Sequence, residues 1–188
     1  MDALTALTAL TTRVSPAALD APGPPADVLQ KILEAAVAAP DHGRLRPWRF
    51  ILIEGAAREK FGTLLVESLQ RREPAAPAGK LETERKKALR APLIIVVAAV
   101  VQAGAKVPEI EQLVAVGAAA QNMLVAAYAL GFGGFWRTGA NAYDPAMKRA
   151  LGLAETDAII GFLYLGTTKT PGPPRRNDAD SVTRRWAG

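Results

Sequence analysis

The spacing of apolar residues alternates between helical and strand periods, and that alternation sets out the elements in order. Leu4, Leu7 and Leu10 recur three apart and predict one face of a first helix that ends near Thr12. A proline-rich loop, Pro16 to Pro25, follows. Val28, Leu29, Ile32, Leu33, Ala36 and Val37 then recur at helical spacing, with Pro25 suited to the first turn and Pro40 as the stop. Phe50 to Ile53 is short and rich in β-branched residues, and Gly55 closes it, so it predicts a strand. Ala56 to Arg72 predicts a third helix, Pro74 to Gly79 a break, and Lys80 to Arg90 a charged surface helix. Leu93 to Val101 is a continuous aliphatic run, as in a strand covered on both faces, and predicts the centre of the sheet.

Pro108 to Leu130 predicts a long helix with small residues, Gly117 to Ala120, on its surface. Its apolarity runs almost all the way round, which implies burial on several sides and therefore a dimer interface. Gln121 and Asn122 interrupt it, so it suits a buried helix better than a membrane span. Phe135 to Thr138 predicts a brief strand, Pro145 to Leu151 a helix capped by Asp144 and stopped by Gly152, and Ile159 to Leu165 a last strand. Residues 166–188 form a polar, prolyl and basic tail.

Composition narrows the chemistry. At 188 residues the chain suits one domain over 1–188 that needs no metal or disulfide to fold. Without cysteine there is no disulfide, thiol catalysis or thiolate metal site, and with one histidine a histidine metal cluster is excluded. Asp2 stands where a secretory signal would be basic, so a mature cytoplasmic chain is expected. The net charge of +5 gathers at Arg85, Lys86, Lys87 and Arg90 and at Arg175, Arg176, Arg184 and Arg185. No aromatic residues are interleaved with these clusters as a single-strand platform would require, so solvated surface is expected rather than a nucleic-acid interface. A basic nucleic-acid binder using Arg175, Arg176, Arg184 and Arg185 is the alternative, with salt-dependent DNA retention lost on deleting the tail as its evidence.

Three segments carry candidate chemistry. The only histidine, His42, lies in the run Ala39 to Trp48, between a helix and a strand, where charged, aromatic and restricted residues are concentrated in a short connection. Capping of the preceding helix by His42 is the plainer alternative. Arg13, Val14 and Ser15 put a guanidinium beside a hydroxyl at a helix end, a pairing able to grip phosphate through charge-assisted hydrogen bonds. Gly131 to Gly139 joins glycines that expose backbone to the flat ring of Trp136, the cation of Arg137 and the hydroxyl of Thr138, and could hold an aromatic cofactor. It is not a dinucleotide fingerprint, because these glycines follow a helix and enter a strand. Trp48 is expected to be core.

In order and spacing, these segments, with Met1 to Leu4, Lys106 to Pro108, Glu111, Gln112 and Gly161 to Thr167, resemble the FMN-dependent nitroreductase family, in particular its short bacterial NAD(P)H members. The resemblance spans nearly the whole chain. It implies an α+β nitroreductase-like fold, with a central, mostly antiparallel sheet flanked by helices, in an intertwined homodimer. It further implies FMN as bound cofactor, NADH or NADPH as electron donor, and ping-pong transfer to a small acceptor such as a nitroaromatic or quinone. No metal, membrane or nucleic-acid partner is implied. No side chain is expected to be catalytic, because the flavin carries the chemistry.

By the same resemblance Arg13, Val14 and Ser15 hold the FMN phosphate and ribityl chain, Trp136, Arg137 and Thr138 lie along the ring, and His42 reaches the flavin of the partner subunit. Val14 stands where relatives have a second arginine, and Ala38 where they often have one four residues before the histidine. Those two losses also support a second reading, a flavin-binding or regulatory module with little turnover.

Overall fold

The computed structural model describes residues 5–16, 18–169, 172–174 and 178–188. Its strands β1 (Trp48–Glu54), β2 (Leu93–Ala99), β3 (Gly133–Arg137) and β4 (Ala158–Gly166) form one sheet in the order β1-β2-β4-β3. Every neighbouring pair is antiparallel. The helices are α1 (Ala6–Thr12), α2 (Ala26–Val37), α3 (Ala57–Arg72), α4 (Ala78–Lys86), α5 (Glu109–Ala129) and α6 (Pro145–Ala150).

The central strand explains the layering. All of β2 is buried, and its residues alternate between two cores. Leu93, Ile95 and Val97 pack with Ile32 and Ala36 of α2 and Val116, Ala120 and Met123 of α5. Ile94, Val96 and Ala98 pack with Phe61 and Leu65 of α3 and Met147 of α6. Helices therefore cover both faces of an antiparallel sheet, and the continuous aliphatic run is a consequence of that double cover. By length and composition α5 could cross a membrane, yet Val116, Ala119, Ala120, Met123 and Ala127 are fully buried, as in the core helix of a folded domain.

Some expectations change. Leu4 lies outside the described residues, and Leu7 and Leu10 are exposed; the small Ala9 is what α1 buries. Pro25 occupies the cap of α2 rather than its first turn. The charged segment after Gly79 is not a free surface helix: α4 starts at Ala78, ends at Lys86 and continues as a 3-10 turn, and it buries Glu84 and Ala88 against α3. Of the small residues on α5, Ala119 and Ala120 point inward while a side chain at Gly117 would meet open space.

Glu84 anchors a polar network between α3, α4 and the turn before α6. Its carboxylate accepts from Asn141 Nδ2 at 2.9 Å and Lys87 Nζ at 2.5 Å, while Arg72 donates to Asn141 Oδ1 at 3.1 Å and Ser68 Oγ at 2.6 Å. Burial pushes the Glu84 carboxyl up, but the bonds from Lys87 and Asn141, with the charges of Lys87 and Arg72, outweigh it and hold it below the usual range. Nearby Asp144 caps α6 through Ala146 N–H at 2.9 Å and accepts from Arg71 Nη2 at 2.7 Å.

Candidate functional site

The N-terminal arm is positioned by α5 and by the end of the sheet. The Thr12 hydroxyl lies 3.2 Å from the Tyr128 hydroxyl near the C-terminus of α5. Further on, Asp20 and Thr167 exchange backbone hydrogen bonds of 2.9 and 2.8 Å, which pins the arm beside the last residues of β4. Between these anchors α1 ends, because Arg13 has extended backbone. Among the described residues the Arg13 guanidinium makes only long bonds, 3.3 Å to Ser15 Oγ and 3.4 Å to Val14 O, so much of its donor capacity there is left for a ligand. Val14, Pro16, Tyr128, Phe132 and Thr168 line a cavity of about 200 Å³ whose floor is the glycine turn 131–133. A Cβ at Gly133 would come within 1.9 Å of Thr168 Oγ1 and 2.6 Å of Leu19, so close packing of the arm requires that glycine.

Strand β3 leads from this cavity to Trp136, Arg137 and Thr138. It is an edge strand, with one side of its backbone left unpaired by the sheet. Alternation sends its successive side chains to opposite faces, so Trp136 and Arg137 do not share one. Trp136 turns to the α5 face and donates from Nε1 to Ile160 O at 3.0 Å. A Cβ at Gly161 would lie 2.0 Å from that nitrogen, so the indole occupies the space the glycine leaves. The flat ring offered by the sequence is therefore packed against the chain's own β4. Arg137 lies on the other face, its Cζ 5.3 Å from the centroid of Phe135, which stacks on Tyr164 at 4.8 Å. Burial raises the Tyr164 phenol to about 12, so it stays protonated beneath the cation. Thr138 is exposed at the strand's end.

His42 begins a tight 3-10 turn, His42–Arg44, at the opposite end of α5. Its Nδ1 is 2.5 Å from Glu111 Oε2, in the first turn of that helix. It does not cap α2, whose last turn is closed by Ala38 N–H. Buried Gln112 braces the connection: its amide bonds both backbone groups of Gln102, and Gln102 Nε2 donates to Leu45 O at 2.8 Å. Pro40, His42, Ile110, Glu111, Val114 and Ala118 line an open apolar cleft of about 350 Å³. Seventeen residues of α5 separate Glu111 from Tyr128, about 25 Å at 1.5 Å per residue. One chain therefore brings Arg13, Val14 and Ser15 to the glycine turn, with Arg137 and Thr138 about 13 Å further along β3, and leaves His42 at the far end.

Sequence reasoning gave Glu111 no role and did not single out Tyr128, Phe132 and Thr168. His42 and Glu111 are 69 positions apart, and no spacing in the sequence links them. Trp48 is half-buried on the α5 side of the sheet, as expected of a core residue. Among the basic clusters, Arg175 and Arg176 lie outside the described residues, and Lys87 is committed to Glu84.

A family profile described as "Nitroreductase family" matches residues 10–167. The chain is 43% identical over 166 residues to an Escherichia coli (strain K12) protein named "Putative NAD(P)H nitroreductase YdjA", covering 86% of this chain and 87% of that one. A nitroreductase-like family protein from Bacillus cereus has a similar crystal structure, with a TM-score of 0.84, 25% identity, and coverage of 100% of this chain and 99% of the other. A nitroreductase from Desulfovibrio desulfuricans, solved in complex with FMN, aligns with a TM-score of 0.75 at 23% identity over 98% of each chain.

Proposed function

As the chain belongs to the nitroreductase family, we propose that it is an FMN-dependent oxidoreductase using NADH or NADPH to reduce a small acceptor such as a nitroaromatic or a quinone. The observation that carries this reading is the separation along β3. The glycine turn beside the Arg13–Ser15 grip and the Arg137–Thr138 end of β3 are about 13 Å apart along a strand whose outer edge is unpaired within the sheet. That interval suits an elongated cofactor with a phosphate at one end and a planar ring at the other. The FMN complex of a protein with this fold supports the same choice.

The residues fit the group. The Arg13 guanidinium is weakly engaged, the Ser15 and Thr138 hydroxyls are exposed, and a side chain at Gly131 would meet nothing within 4 Å, which leaves its backbone open. Bound between these residues, FMN would supply the two-electron redox chemistry between nicotinamide and acceptor, by a ping-pong scheme through one site. Arg13 and Ser15 neutralise and orient the phosphate. Val14 adds its backbone and an apolar wall where a second guanidinium would otherwise stand. Arg137, held over Phe135, would stabilise negative charge on the reduced flavin, and Thr138 would offer a hydroxyl from the next position. Trp136, already bonded to β4, contributes through its backbone at the strand edge.

His42 completes the site from a second copy. A cavity of about 200 Å³ is smaller than the ~300–1,000 Å³ typical of cofactor sites, so one chain encloses too little. The free face of α5 carries Ile110 and Val114, 65% and 63% exposed, with Gly117 a turn further on. Two such helices packed antiparallel about a two-fold axis would bring the His42 end of one to the Tyr128 end of the other. The partner would also exclude water from the transfer.

Purified protein is expected to be yellow or to turn yellow with added FMN, and anaerobic NADH or NADPH should bleach it. Bound flavin that neither donor bleaches favours the flavin-binding module, as Val14 and Ala38 would suggest. No flavin binding at all overturns the proposal.

A further inference from the structure

The turn carrying His42 holds unusual backbone. Gly43, Arg44 and Arg46 all have left-handed φ, at 72°, 54° and 51°. Glycine adopts this conformation freely, but arginine does so at a cost in strain, and strained residues held by their surroundings cluster at binding sites. The turn is indeed held. The Asp41 carboxylate accepts from Leu45 N–H at 3.2 Å and Arg46 N–H at 2.7 Å, and a Cβ at Gly43 would sit 2.8 Å from Val107, against which the turn packs. Nothing in this scaffold calls for arginine at the two strained positions. Both side chains are exposed, and neither guanidinium has a hydrogen-bond or ion-pair partner among the described residues.

The electrostatics point the same way. Arg49 follows at the start of β1, its guanidinium donating to Trp48 O, and exposed Lys106 stands on the loop that braces the turn; Asp41 is engaged with backbone amides and Glu111 with His42, while Glu109, in the first turn of α5, is exposed. The result is a cationic rim beside the His42 cleft. A guanidinium fork matches a phosphate monoester in both geometry and charge, and two forks one residue apart can share a dianion. The FMN phosphate is assigned to Arg13 and Ser15. The remaining phosphate monoester in the reaction is the 2′-phosphate that distinguishes NADPH from NADH.

We propose that Arg44 and Arg46 form a subsite for the 2′-phosphate of the nicotinamide donor and give the enzyme a preference for NADPH. The inference rests on the oxidoreductase reading for the donor's identity. The test compares wild type with R44G, R46G and the double variant, because glycine relieves the left-handed backbone while removing the cation. In the double variant KM for NADPH should rise about tenfold or more, the equivalent of one lost charge-assisted hydrogen bond, and KM for NADH far less. The FMN dissociation constant should stay within about twofold and the melting temperature should not fall.

Calorimetry on FMN-loaded protein gives a second readout without turnover: 2′,5′-ADP should bind more tightly than 5′-AMP, and the variants should lose the difference. Equal rises in both KM values, no rise in either, or weakened FMN binding would overturn the assignment. If a glycine variant does not fold, R44Q and R46Q carry the same comparison. A wild type that oxidises neither donor sinks the oxidoreductase reading, and the comparison of 2′,5′-ADP with 5′-AMP still decides whether the subsite exists.

Discussion

Trp136 shows how a single residue's role is settled far away in the chain. Its ring fits beside β4 only because position 161 lacks a Cβ, and its N–H finds Ile160 O across the same strand pair. Neither fact is visible in the run Trp136-Arg137-Thr138, so the flat surface looks available in sequence. The lone histidine is similar: its isolation is legible, its partner Glu111 is not. Asp144 is the opposite case, legible as the cap of the helix opened by Pro145 and confirmed by its bond from Ala146 N–H. Its structural setting adds what the sequence hides. Burial pushes the carboxyl up, but hydrogen bonds from Ser68, Arg71 and Ala146, with the Arg71 charge, prevail and lower it to about 2. A carboxyl depressed in the folded state contributes stability above its unfolded value near 4, and that contribution is lost as pH falls toward about 2. D144N keeps the cap and removes the charge. It should cost about 1–2 kcal/mol at pH 7, with the gap to wild type closing between about pH 4 and pH 2 in urea melts. A gap that persists at pH 2 would mean the carboxylate's charge is not what stabilises α6.

At the scale of elements, legibility follows periodicity. The aliphatic run of β2, the apolar stripe of α2 and the long α5 were readable because burial imposes a pattern on many consecutive residues. Elements defined by a few residues were not. The 3-10 turn at His42 depends on Asp41 bonding two backbone amides, and the burial of Glu84 in α4 depends on Asn141, 57 positions later. Charge in α4 reads as surface until those partners are known. The apolarity of α5 beyond what the sheet requires is a different signal, because Ile110 and Val114 remain exposed in the single chain. V114R places a charge in the middle of that face without touching the core. Sedimentation velocity should show a dimer for wild type and a monomer for V114R, with the circular dichroism of a folded chain in both. A V114R dimer would move the interface elsewhere.

At the scale of the whole molecule, the candidate site is divided by the length of α5. Arg13 and Ser15 stand by the Tyr128 end and His42 by the Glu111 end, two ends about 25 Å apart along the helix, so the single chain does not bring them together. This division makes a strong demand on assembly. If each flavin takes its phosphate grip from one chain and its histidine from the other, R13A and H42A each spoil both sites of a homodimer, but in different places. A heterodimer of the two has one site carrying both lesions and one carrying neither. Mixing the variants at equal concentration under conditions of subunit exchange should therefore restore tight FMN binding to about a quarter of all sites, because about half of the dimers are mixed and each mixed dimer has one intact site. Fluorescence titration of released FMN counts those sites directly. Sites confined to single chains would give no recovery on mixing, whatever the oligomeric state, so the measurement separates a shared site from a dimer that merely forms. Glu111 extends the same logic, since it bonds the histidine at the cleft rather than the arginine at the cavity. E111Q mixed with R13A should complement as H42A does, while E111Q mixed with H42A should not, because both lesions then fall at the same end of α5.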